Sequence, residues 1–140
     1  YIVLAKDHIE DVFNVGVEEK EHLTNIIEIK KDNARFFEGL KEKTKDRKLK
    51  DMFEAILAVD NSHISILINM GASGSKNDKG SVKIFEYDDD NIAEGYNRKK
   101  NASDTMKEVT MRVDDPFVKE LLQALGDVEK DHVKMLEEAM

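Results

Sequence analysis

Six residues in this 140-residue chain have the types and spacing for buried charge chemistry: Lys30, Asp60, His63, Lys99, Glu129 and His132. Asp60 and His63 are three residues apart, as are Glu129 and His132, and that step puts two side chains on one face of a helix. Two carboxylates and two imidazoles are a donor set that iron, manganese or zinc can accept. The lysines point the other way, because an ammonium group has no lone pair and cannot ligate a metal. Two ammonium groups facing two carboxylates sum to zero when both imidazoles are neutral, so such a layer balances without a metal ion.

The elements that must position these residues are helices. Pro116 is the single proline, and Gly71, Gly74 and Gly80 cluster in one stretch, leaving long uninterrupted segments on either side. Leu23, Ile26, Ile27, Ala34, Phe37 and Leu40 recur at three- and four-residue steps and predict a helix over 17–44. Asp46 is a candidate cap for a second helix, striped by Met52, Phe53, Ile56, Val59, Ile64 and Leu67 and ended by Gly71. Asp88, Asp89, Asp90 and Asn91 offer a negative N-terminus for a third, which would carry Ile92, Tyr96, Ala102, Met106 and Val109. Asp115 followed by Pro116 marks the start of a fourth, with Val118, Leu121, Leu122, Leu125, Val128, Val133 and Leu136. Ile9, Val12 and Phe13 share a face, which predicts an additional short helix within the N-terminal extension 1–17.

Sliding the chain against itself by 69 residues superimposes two hairpins without a gap, over about 18–70 and 90–139. Lys30 falls on Lys99, Asp46 on Asp115, Asp60 on Glu129, His63 on His132 and Leu67 on Leu136. With turns near residues 45 and 114, Lys30 and Asp60 each lie fifteen residues from the first turn, and Lys99 and Glu129 fifteen from the second. At 1.5 Å per residue both pairs sit about 22 Å from their turns, which predicts one central layer. The hairpins together predict an all-α four-helix bundle spanning 18–140. The segment 71–90, reaching up to ~66 Å against roughly 35 Å for a helix, can run the bundle's length as a crossover loop.

The net charge of −8, from 22 basic and 30 acidic residues, argues against nucleic acid and anionic membrane as partners. No stretch approaches the ~18 apolar residues of a membrane span, so a soluble, cytoplasmic protein is expected. The chain has no Cys, which excludes disulfides, thiolate metal sites and a Cys nucleophile.

Over about residues 18–139 the chain resembles the ferritin-like superfamily, and within it the rubrerythrin-type di-iron carboxylate proteins. Glu129-Lys130-Asp131-His132 matches that family's Glu-x-x-His motif, and Asp60-Asn61-Ser62-His63 matches it with a shorter carboxylate. Ala34-Arg35-Phe36-Phe37 followed by Thr44-Lys45-Asp46 resembles the family's first hairpin. The resemblance implies a bundle core holding two metal ions, with Asp60, His63, Glu129 and His132 as ligands. Lys30 and Lys99 occupy the two positions where the family has its remaining Glu ligands. The expectation is therefore a degenerate metal site: a non-catalytic structural or interaction module without cofactor, forming a homodimer or higher homo-oligomer.

The alternatives are a redox protein of the rubrerythrin kind, handling iron or peroxide through an altered mono- or dinuclear Fe, Mn or Zn site, and a desolvated Lys acting as nucleophile or base. The chain has no Cys-x-x-Cys module to supply electrons, which weighs against the redox reading. His8 and His22 are expected to be solvated. An EF-hand reading around Gly80 fails on Lys79 at its fifth position.

Overall fold

A computed structural model of the chain describes residues 17–71 and 82–140. Among the described residues four helices and no strand are present: α1 Val17–Lys43, α2 Arg47–Asn69, α3 Asp88–Arg112 and α4 Pro116–Ala139. The expected helix around Ile9 to Phe13 and the EF-hand stretch up to Gly80 lie outside the described residues. No described helix is long and apolar enough to cross a membrane.

The caps sit where the side chains can make them. Asp46 accepts from Leu49 N and Asp115 from Val118 N, each at 3.0 Å, satisfying one orphan donor at the start of α2 and of α4. Pro116 follows Asp115 at the first helical position, where its missing N–H costs nothing. Gly71 ends α2 with φ of 91°, a left-handed conformation that a side chain would disfavour. The start of α3 carries the expected negative first turn. Its N-cap is Tyr87, without a side-chain bond, and Asp88, Asp89 and Asp90 fill the first turn, so they act on the helix dipole rather than as a cap.

α1 packs on α2, α3 on α4, and α1 on α3, forming a four-helix bundle. Thr44 Oγ1, in the α1–α2 turn, donates to Asp88 Oδ2 at 3.2 Å, so α3 starts beside that turn. Asp114 N, in the α3–α4 turn, donates to Glu19 Oε1 at 2.8 Å, so α3 ends beside the start of α1. α2 and α3 therefore point in the same direction. Val82 and Ile84 pack against the end of the bundle where α3 starts.

Two apolar clusters fill the interior, one toward each end. Leu23, Ile26, Ile27, Leu67, Met106 and Leu122 belong to the first, and Phe36, Phe37, Leu40, Phe53, Ile56 and Leu136 to the second. Each fully buried Leu, Ile or Phe side chain contributes about 1.5–3 kcal/mol, so these clusters carry the stability that the layer between them draws on.

Candidate functional site

All six residues singled out by spacing meet between the two apolar clusters. Lys30, from α1, is 1% exposed, and Asp60, Lys99 and Glu129, from α2, α3 and α4, are fully buried. His63 and His132 lie one turn further along α2 and α4 and are also buried. Positions 69 residues apart thus share one environment, as the helical register requires.

Each ammonium bonds a carboxylate from the other hairpin. Lys30 Nζ donates to Glu129 Oε1, and Lys99 Nζ to Asp60 Oδ1 at 2.5 Å. Within the hairpins the charges are also close: Lys99 Nζ lies 3.0 Å from Glu129 Oε2, and Lys30 Nζ 3.7 Å from Asp60 Oδ1. Lys30 Nζ donates further to His63 Nδ1 at 3.1 Å. Because an ammonium only donates, His63 Nδ1 must carry the lone pair and its Nε2 the proton. Asp60 Oδ2 and His132 Nδ1, both buried, bond no other described residue.

The electrostatics divide the two carboxylates. Burial raises the Asp60 carboxyl above its ordinary value, with Lys99 pulling against it. Burial pushes Glu129 up as well, but Lys30 and Lys99 together outweigh it and hold that carboxyl at about 2. His63 is pushed down to about 4 by burial and then by Lys30, and His132 to about 4 by burial and then by Lys99. Both imidazoles are therefore neutral at pH 7, and the layer is balanced between two ammonium groups and two carboxylates.

Other residues hold the helices around this layer, and of these Arg98 was not singled out by sequence reasoning. Phe36 is fully buried, and the Arg98 guanidinium stacks over its ring at 4.6 Å from the centroid. Arg98 Nη1 donates to Asp32 Oδ2 at 2.9 Å, tying α3 to α1 next to the Lys99 position. Phe37 forms the apolar wall below Lys99, whose Nζ is 5.6 Å from the ring centroid. Asn91 is buried and holds the approach to α3, accepting from Phe85 N at 2.8 Å and donating to Phe85 O at 3.0 Å. His22 is half-buried rather than solvated.

Asp60, Glu129 and His132 offer ligand atoms that all lie within 4.8 Å of one another. His63 stands outside that group, its Nδ1 being occupied by Lys30. Both ammonium groups border the same space, so a cation there would meet two like charges at close range. The layer is thus a closed ion network first and a three-donor cluster second. A scan against protein-family models, a search of curated proteins and a search of solved structures each found no match to this chain.

Proposed function

We propose that the chain is a ferritin-like bundle, of the rubrerythrin kind, in which a lysine–carboxylate network replaces a two-metal centre. It serves as a non-catalytic structural or interaction module, assembling as a homodimer or higher homo-oligomer in the cytoplasm. The observation that carries this reading is the position of the two Nζ atoms, inside the carboxylate cluster and bonded to it across the core. The parallel direction of α2 and α3 supports it, because two hairpins so arranged need the long connection typical of that architecture. The equal burial of positions 69 apart supports descent from one repeated hairpin.

The residues present do not fit a dinuclear site. Such a site offsets two divalent ions with four carboxylates, whereas this layer has two, and its other two positions carry charges of the wrong sign. Metal analysis of protein purified from iron- and manganese-supplemented cells, and again after reconstitution, tests the proposal. The expected content is far below one ion per chain, and about two ions per chain would overturn the proposal. The double variant Lys30→Glu/Lys99→Glu should gain metal affinity and lose stability in its metal-free form, since four carboxylates would then cluster. A double variant as stable and as metal-free as the wild type would contradict the assigned roles.

A second reading rests on the three-donor cluster of Asp60, Glu129 and His132, which could hold one Fe, Mn or Zn ion with both lysines turned away. About one ion per chain after reconstitution, lost on changing His132→Ala, would favour that redox reading over the first.

A further inference from the structure

Lys99 holds a place in the layer that Lys30 does not share. Its Nζ lies 2.5 Å from Asp60 Oδ1 and therefore no more than ~3.8 Å from the carboxyl carbon Cγ, the C–O bond itself being about 1.2 Å long. The same Nζ lies 3.0 Å from Glu129 Oε2. Glu129 Oε2 and the second Asp60 oxygen, Oδ2, are buried and accept no hydrogen bond. An amine, a carboxyl carbon, a carboxylate free to take a proton and an oxygen free to leave thus meet in one fully buried set. Lys30 bonds Glu129 and His63 instead, and its second carboxylate, Asp60, is 3.7 Å away. Ion pairs outside the layer, such as Lys41 with Glu38, are open to solvent, and water competes for both partners.

We infer that the layer modifies itself: Lys99 Nζ and Asp60 Cγ form an intramolecular isopeptide bond, with Glu129 as the proton carrier. Lys99 passes one proton to Glu129 Oε2 and becomes a neutral amine. The amine lone pair forms the N–C bond at Asp60 Cγ. A second proton from the nitrogen and the one held on Glu129 go to Asp60 Oδ2, whose C–O bond breaks, and this oxygen leaves as water. One ammonium and one carboxylate become one secondary amide and one water, with no change of oxidation state and no co-reactant. Two physical conditions favour the step. A positioned pair reacts as though at an effective concentration of ~10⁵ M or more, while the apolar clusters on both sides exclude the bulk water that favours hydrolysis. The product also removes one buried charge of each sign and leaves Lys30 and Glu129 balanced. The bond joins α2 to α3, and so one hairpin to the other. The inference rests on the metal-free reading of the layer proposed above.

The intact mass of the full-length protein tests it, after prolonged incubation folded at pH 7 and, in parallel, unfolded in urea. The folded sample should lose the mass of one water per chain, and the urea sample should keep its full mass. Trypsin should then release residues 51–76 carrying the dipeptide 99–100 on Asp60, because a linked Lys99 is no longer cut. Glu129→Gln, which cannot take the proton, should link about a hundredfold more slowly. Should that variant fail to fold, the wild-type mass and the branched peptide decide by themselves. An undiminished mass in folded, metal-free protein overturns the inference and leaves the proposed function standing, whereas about two metal ions per chain would overturn the proposed function itself. A loss of water that maps to an unbranched peptide, or to a link between Lys30 and Glu129, also overturns the inference. So does a folded Glu129→Gln that links at the wild-type rate.

Discussion

Lys99 is fully buried, with Asp60 at 2.5 Å and Glu129 at 3.0 Å, so its ammonium has exchanged water for two carboxylates. Truncating it leaves a buried negative charge without compensation. Lys99→Met should therefore cost about 3–5 kcal/mol, read from urea unfolding at pH 7. Lys99→Met/Asp60→Leu removes one charge of each sign, leaves the Lys30–Glu129 pair intact, and should recover most of that loss. If the double variant is no more stable than the single one, the charges do not act as a balanced set. The six residues of this layer were legible in the sequence because each interrupts an apolar stripe, and because the interruptions repeat at one offset. The contacts that Phe36 and Asn91 make were not legible. Their roles depend on Arg98 and Phe85, partners that periodicity along a single helix does not encode.

At the scale of elements, Gly95 of α3 marks a close approach between helices. An added Cβ would lie 3.2 Å from Phe37 Cε1 and 3.6 Å from Leu136 Cδ2, so α3 approaches α1 and α4 closely only because no side chain intervenes. Alanine favours an isolated helix over glycine by about 1 kcal/mol, but here the Phe37 ring is fully buried and has no room to move. Overpacking should win, and Gly95→Ala should lower stability by about 1–2 kcal/mol, measured as a drop in Tm without loss of helical circular dichroism. A stabilised variant would show that the ring gives way. The helix ends marked by Asp46, Asp115, Pro116 and Gly71 were legible because local chemistry sets them. The start of α3 was harder to place. Its end is held by Asn91 and by Thr44 of the α1–α2 turn rather than by a capping side chain of its own.

For the whole molecule the buried imidazoles and carboxylates set a window of acid stability. His63 and His132 have folded values of about 4 against an ordinary 6.5, so the unfolded chain takes up protons first. Their contribution is complete above pH 6.5 and is lost as pH falls toward 4. Glu129, at about 2 against 4.5, adds a contribution that is lost lower still, as pH falls from 4.5 toward 2. Asp60 is shifted upward and opposes this trend, losing stability as pH rises above 3.8. The unfolding free energy from urea titrations should therefore fall between pH 7 and pH 4.5, by an amount on the order of a few kcal/mol, and His132→Phe should flatten that slope. An unchanged value across that range would mean the imidazoles are not held neutral. The cross-core pairing carries one more consequence. Each hairpin brings one cation, one anion and one imidazole to the shared layer, so neither half is charged there by itself. Half-length polypeptides of a single such sequence could thus associate as a symmetric couple with the same neutral interior, and joining them in tandem would leave that electrostatic balance unaltered.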